Sequence, residues 1–332
     1  MSISIYDVAR TAGVSVVTVS RVLNNSPTVR EKNRERVLAA IKELDYQPNA
    51  AAQSLAKGRT GTIGVVIPSL DDSFMMRVLA GTEAILRERG MYLILSVISE
   101  DEPLDESNCV KLFTEGRVDG ILILKPLENE PYIMELKKRD FPFVLLDQHH
   151  ADRQIATVMV DNVNGGYQAT KKLIDSGAGI IAHIKGSPAY QSSHERYEGY
   201  KKALMEAGIP LREEWVAQGH FSMESGYTIT SDWLAKGRKP DAVFAADDNI
   251  AFGAIDAIKQ HGLRIPEDIE VIGFDDHPFS ATLFSGITTV RQPAEALARN
   301  GIELLLAMIN GEAKRNPAIL LEPELVIRST TR

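Results

Sequence analysis

Carboxylates gather at the ends of apolar runs in this sequence. Asp147 follows Phe143–Leu146, Asp247 and Asp248 follow Ala242–Ala245, Asp275 and Asp276 follow Val271–Phe274, and Asp161 with Asn162 follows Thr157–Val160. Brought together, such side chains accept hydrogen bonds from ligand hydroxyls without a metal. Each also precedes a helix or turn, so each is equally an N-cap candidate. A second constellation lies near the start. Thr18, Ser20, Arg21 and Asn24 fall on the polar side of a stretch whose other face carries Val19, Val22 and Leu23. Hydroxyls suit phosphate oxygens, and arginine suits phosphate or the acceptor edge of guanine. A plain solvated helix face gives the same pattern. Other groupings carry less. His149-His150 has no partner pair, and adjacent histidines do not easily reach one ion, so no metal is expected. The P-loop, G-x-G-x-x-G and G-x-S-x-G patterns do not occur. Gly165-Gly166 opens a helix and is too short to cradle a phosphate. Asp247 and Asp275 could do acid–base work, but no nucleophile–base pair accompanies them, so no enzyme and no cofactor are expected. Cys109 is the single cysteine; it excludes a disulfide framework within one chain and reads as packing.

The elements that position these residues fall into two styles. In the first 47 residues, Ile5, Val8 and Ala9 recur at helical spacing and Ala12-Gly13 closes that segment. Ser15 then caps a second helix from Val16 to Leu23, an arrangement of helix, turn and helix. A third helix, Glu31 to Leu44, offers Val37, Leu38, Ile41 and Leu44 to close a small core. Pro48 to Ala56 is alanine-rich and bounded by Gly58, too short for a stable helix alone, so it orders only when docked; a plain linker is the alternative. From Thr62 the rhythm changes. Short apolar strands (Thr62–Pro68, Tyr92–Ser96, Gly120–Leu124, Phe143–Leu146, Thr157–Val160, Ile180–Ile184, Ala242–Ala245, Glu270–Gly273) alternate with amphipathic helices starting near Met76, Asn108, Pro131, Gly165, Glu195, Ser225 and Asn249. Apolar strands between such helices predict parallel sheets covered on both faces, too many units for one sheet and hence two lobes, with ligands at the carboxyl ends of the strands.

Composition agrees with a globular protein: 332 residues, 44% hydrophobic and 25% charged. No apolar run is long enough for a membrane span, and the start lacks the basic-then-apolar order of a secretory leader, so no membrane association and a cytoplasmic location are expected. The net charge of −8 hides an asymmetry. Residues 1–60 carry nine Lys/Arg against five acids, and the rest carries 28 against 40. A basic head on an acidic body suits a polyanion partner for the head; chance on a solvated surface is the bland alternative.

The segments IYDVARTAGVSVVTVSRVLN and VLAAIKELDYQPNAAAQSLA resemble the DNA-binding headpiece of lac-repressor-type (LacI/GalR) transcription regulators. The resemblance continues through VDGILI at 118–123, AADDNIAFGAIDAI at 245–258 and PEDIEVIGFDD at 266–276. It implies a small all-α helix-turn-helix headpiece (1–47), a hinge helix and linker (48–60), and an α/β two-lobed core of the periplasmic-binding-protein type (61–332). The first lobe would take about 61–160 and 292–319 and the second about 161–291 and 320–332, joined by crossovers near 161, 291 and 319. It implies a recognition helix in the major groove, with Val16, Val17 and Arg21 toward base edges and Ser15, Thr18, Ser20 and Asn24 on the backbone. Tyr6, Asn49 and Ala52 join the DNA-facing set, and Leu55 matches the residue that wedges between central base pairs of the minor groove. The effector cleft would use Asp147, Arg196, Phe221, Asp247 and Asp275, with Phe74 lining the first lobe. Arg196 can fork onto adjacent hydroxyls, and Phe221 offers a flat face to a sugar ring. Asp247 stands where the family often has Asn, which tilts the site toward a donor-rich neutral or cationic ligand unless Arg196 and Lys125 offset the acids. The expected protein is a ligand-responsive repressor whose partners are a near-palindromic double-stranded operator, a small sugar-like effector and a second copy of the chain. There is room for a protein co-regulator. The tail from Val326 has no leucine heptad, so a dimer is expected rather than a tetramer. A solute-binding protein on the same core is the alternative, and the 60-residue head argues against it.

Overall fold

Residues 3–24, 26–47, 54, 58–98, 108–126, 131–148, 150–152, 154–312 and 318–332 are described by the computed structural model. The chain divides into two units, Met1–Thr60 and Gly61–Arg332. In the first, Ser4 donates from both its amide and its hydroxyl to Asp7, which opens α1, Ile5–Ala12. Gly13 ends that helix, Ser15 caps α2, Val16–Leu23, and α3 follows as Glu31–Glu43. Val8, Ala9, Ala12, Val19, Val22, Val37 and Ala40 form its core. Leu38, expected in that core, is instead 53% exposed. On a helix, 37, 40, 41 and 44 share one face, whereas 38 is rotated about 100° from 37.

The second unit holds two six-stranded sheets. The strands are β1 Thr62–Ile67, β2 Tyr92–Val97, β3 Gly120–Leu124, β4 Phe143–Leu146, β5 Thr157–Val160, β6 Ile181–Lys185, β7 Val216–Gln218, β8 Ala242–Ala245, β9 Glu270–Asp275, β10 Thr288–Arg291, β11 Ala318–Leu321 and β12 Glu324–Val326. One sheet runs β11-β5-β4-β3-β1-β2 and the other β12-β10-β9-β8-β6-β7. Every pairing is parallel except β10 with β12. The central strands are buried along their length, as sheets covered on both faces require.

Helices α4 (Ser73–Glu88) and α11 (Ala294–Ile309) cover one face of the first sheet, and α5 (Asn108–Thr114) and α6 (Pro131–Lys138) the other. On the second sheet, α7 (Asn162–Asp175) and α8 (Gln191–Glu206) lie opposite α9 (Met223–Ala235) and α10 (Asp248–Gln260). Helices α4, α7 and α8 begin three or four residues earlier than the apolar periodicity implies. For α4 and α7 a capping carboxylate sets the earlier start: Asp72 accepts from the amides of Phe74 and Met75, and Asp161 from that of Asn164. The chain passes between lobes after β5 and after β10. The third passage, expected near 319, follows Leu321 instead, because all four residues of β11 pair with β5. Among the described residues no helix is long and apolar enough to cross a membrane.

Candidate functional site

On the headpiece, Ser15 spends part of its hydrogen-bonding on the helix it caps: its Oγ accepts from the Thr18 amide at 3.2 Å and lies 2.9 Å from the Thr18 hydroxyl. Arg21 and Asn24 are exposed, Thr18 and Ser20 half-buried. Tyr6 and Val17 stand out at 71% and 59% exposure, large for apolar surfaces with no intramolecular use. Val16, expected beside Val17 at the base edges, packs partly against the headpiece core. Asn49, Ala52 and Leu55, the expected minor-groove residues, lie outside the described residues.

In the second unit, the carboxyl ends of β3, β4, β8 and β9 carry Lys125, Asp147, Asp247 and Asp275. Lys125, Asp147 and Asp275 have positive φ of 43°, 58° and 99°, and Asp276 follows at 54°. Non-glycine residues rarely hold that conformation, and it concentrates at working sites. Between the lobes lies a cavity of about 170 Å3, lined by Ser69, Asp71, Asp72, Ser73, Met75 and Lys125 on one side and Tyr190, Arg196, Phe221, Asp247, Asn249 and Asp275 on the other.

The second-lobe wall is built around Arg196, 1% exposed. Its Nε donates to Asn162 Oδ1 at 3.0 Å, its Nη1 to the Ala246 carbonyl at 2.6 Å, and its guanidinium lies 3.7 Å from the centre of the Phe274 ring. Nη2 stands 3.3 Å from Asp275 Oδ1 and is buried without a hydrogen-bond partner. Helix α8 reaches this position because α7 and α8 touch backbone to backbone: a Cβ on Gly166 would lie 2.3 Å from the Arg196 carbonyl oxygen, and one on Gly199 2.1 Å from that of Val163. The Gly165-Gly166 pair thus serves helix packing. Phe221 closes over Gly186, whose own Cβ would fall 2.1 Å from the ring. Behind Arg196, Asn162 donates to Glu195 at 3.2 Å and Gln191 to the same carboxylate at 2.9 Å. Burial pushes Glu195 up to about 7.

The first-lobe wall is a charge cluster. Lys125 Nζ lies 3.0 Å from Asp72 and 3.7 Å from Asp147. Burial disfavours its ammonium, yet the two carboxylates outweigh this and its pKa rises. Asp72, only half-buried, is held below the ordinary range, against the effect of burial, by Lys125 and two backbone amides. Asp147 is different: burial raises it, and both its oxygens are buried without a hydrogen-bond partner. It sits under the cavity rather than on its lining. Phe74, expected to line this wall, is 1% exposed in the first-lobe core and offers its ring to Lys125 Nζ at 5.1 Å. The lining is made by its neighbours Asp72, Ser73 and Met75.

The strand-end carboxylates therefore divide by task. Asp161 caps α7. Asp248 accepts from Ser280, Thr289 and the His277 amide, and Asp276 from Arg291 and Arg328; these two tie loops together. Asp275 lines the cavity while accepting from Gln292 at 2.5 Å. Asp247 does both: Oδ1 caps α10 through the Ile250 amide at 2.8 Å, and the side chain faces the cavity. Burial, and then the charge of Asp275, push Asp247 well above the carboxylate range. Asp72, Tyr190 and Asn249 were not singled out from the sequence. Asp72 carried the same signal as the others, an acid just after an apolar strand. Among the described residues no group of three potential ligands could hold a metal. His149 lies outside them, and His150 accepts from the Asp152 amide.

Two family models match the chain: bacterial regulatory proteins of the lacI family over residues 4–49, and a periplasmic binding protein-like domain over 170–331. The HTH-type transcriptional repressor PurR of Vibrio vulnificus (strain CMCP6) is 36% identical over 333 residues, 99% of this chain and 98% of its own. The chain belongs to the lacI family. Among solved structures, the lac repressor dimer bound to operator and the anti-inducer ONPF is 31% identical with a TM-score of 0.90, covering 100% of this chain and 99% of that one. The transcriptional regulator CelR–cellobiose complex is 32% identical with a TM-score of 0.75 and covers 99% of both chains. This lacI-family member is a DNA-binding transcription regulator with a helix-turn-helix headpiece and a two-lobed binding-protein core; its relatives are regulators, not enzymes.

Proposed function

We propose that this lacI-family protein is a repressor that binds a near-palindromic operator as a dimer, and that a small hydroxyl-rich effector in the cleft changes its affinity for DNA. The observation that carries the effector reading is Arg196. A buried guanidinium in the cavity wall, held on two of its nitrogens, with the third beside Asp275 and without a hydrogen-bond partner, keeps one donor nitrogen for a ligand hydroxyl. The lac repressor and CelR structures, one with operator and anti-inducer and the other with cellobiose, support the same reading.

The charge arrangement narrows the effector. Lys125 is engaged by Asp72 and Asp147, and Arg196 by Asp275, so neither lining cation is left to neutralise a phosphate. Asp247, pushed toward its protonated form, can offer one donor and one acceptor, much as an asparagine amide would. A neutral or amine-bearing polyol fits this balance, and a cavity smaller than the roughly 300–1,000 Å3 of drug-sized sites suits one ring. The test is titration of a labelled operator, selected from random duplexes, against a panel of neutral, amino and phosphorylated sugars at fixed salt, since phosphate contacts make affinity steeply salt-dependent. The expected result is a change of about tenfold or more for a neutral or amino sugar. No change with any sugar would defeat the effector reading, and a preference for a phosphorylated one would defeat the charge argument.

A further inference from the structure

Asp275 and Asp276 form two successive left-handed residues at the end of β9, neither of them glycine, so the turn needs outside support. Its side chains are held from the second lobe and from the passage that leaves β10. Gln292 and Arg196 hold the Asp275 carboxylate, and Arg291 and Arg328 hold that of Asp276. The main chain is held from both lobes: the Asp276 amide donates to Thr289 Oγ1 on β10 at 3.3 Å. Arg77, on α4 of the first lobe, donates from Nη2 to the Asp275 carbonyl at 2.7 Å. Of these six supporting side chains, Arg77 is the one carried by a helix packed on the first sheet. Its Nε is buried without a hydrogen-bond partner. A charged donor on a neutral carbonyl makes a strong, directional bond, and this one joins a first-lobe helix to a second-lobe strand end.

We infer that Arg77 is a positioning residue of the cleft. It fastens the first lobe to the peptide of Asp275, so that closing the lobes and fixing the Asp275 carboxylate toward the cavity are one event. The inference rests on the cleft being the effector site only for its consequence: a ligand that engages Asp275 then favours the closed arrangement, which is the differential affinity that coupling requires. Separation of the lobes removes Arg77 from the carbonyl and leaves the turn with its side-chain partners and the Thr289 hydroxyl, which accepts from the Asp276 amide at 3.3 Å.

Inter-lobe distance tests this without any ligand. In the full-length chain, spin labels at Lys138→Cys on α6 and Lys236→Cys after α9, both exposed sites, report the separation, while Cys109 is buried. Arg77→Gln is expected to lower the closed population by about threefold or more and to broaden the distance distribution. Arg77→Met, which keeps the aliphatic stem, carries the same expectation should the glutamine variant not fold. Arg77→Lys, which keeps a charged donor, is expected to restore part of the closed population, a rescue that lost packing would not produce. A distribution in the glutamine or methionine variant that superimposes on the parent's would overturn the inference. An operator affinity indifferent to every sugar, with the distance shift intact, would instead remove the effector reading and leave the latch.

Discussion

The two walls of the cleft balance their buried charges by opposite means. The second-lobe wall fixes one arginine with three kinds of contact, from Asn162, the Ala246 carbonyl and the Phe274 ring, and keeps a single nitrogen beside Asp275. The first-lobe wall distributes one ammonium between two carboxylates and leaves Asp147 with no hydrogen-bond donor of its own. The first design fixes direction; the second fixes only charge. A ligand would therefore be oriented by the second lobe and its charge screened by the first.

The largest effect that would break this contrast is at Arg196. Arg196→Met strands Asn162 Oδ1, the Ala246 carbonyl and Asp275 in a buried site, and is expected to cost about 5 kcal/mol in urea unfolding and about 100-fold in affinity for whichever sugar the operator assay identifies. Arg196→Lys is expected to restore little, because an ammonium cannot serve three directions in one plane. If Lys restored most of the binding, the second wall would be supplying charge rather than geometry. Lys125→Met comes next, at about 3 kcal/mol near neutral pH, since it leaves Asp72 and Asp147 facing each other uncompensated. That loss is expected to shrink on acidification, because burial already raises Asp147 toward taking up a proton. Equal losses at pH 5 and pH 8 would contradict the charge-only account of this wall.

The smallest effect concerns Glu195, behind Arg196. Its folded pKa of about 7 lies above the ordinary glutamate value of 4.5, so the folded state binds more protons between those values. The associated stability is full below about pH 4.5 and is lost as pH rises through 7, an effect on the order of 2 kcal/mol. Asp248, pushed up to about 7 by burial, adds in the same direction. Calorimetric midpoints are expected to fall between pH 5 and pH 8, and Glu195→Gln to flatten that slope. An unchanged slope would place the titration elsewhere.

What the sequence disclosed follows from the range over which each signal acts. The headpiece caps and the strand–helix alternation are local, so Ser15, the α2 limits and the sheet-forming runs were readable. Asp147, Arg196, Phe221, Asp247 and Asp275 came as a set from the family resemblance, and four of them line one cavity. The division of the carboxylates was not readable: Asp248 and Asp276 have the same local setting as Asp247 and Asp275, and only the loops that fold over them, from Ser280, Thr289 and Arg328, separate structural from cavity-facing roles. Phe74 failed because a helix turns its aromatic residue inward whenever a core lies beneath it, and the Asp72 cap sets that rotation. Leu38 failed for a simpler reason, since adjacency to Val37 was taken as a shared face. Arg77 was invisible because its partner is a main-chain atom 198 residues away.

The missing side chains of Gly166 and Gly199 have a consequence beyond packing. They set the spacing between two helices, one of which carries the guanidinium at the mouth of the cleft. A single added methyl at either place would press on the facing helix's backbone and shift that arginine within the cavity wall. Selectivity in such a protein can accordingly drift through residues that act as shims, out of sight of any inventory of contacts.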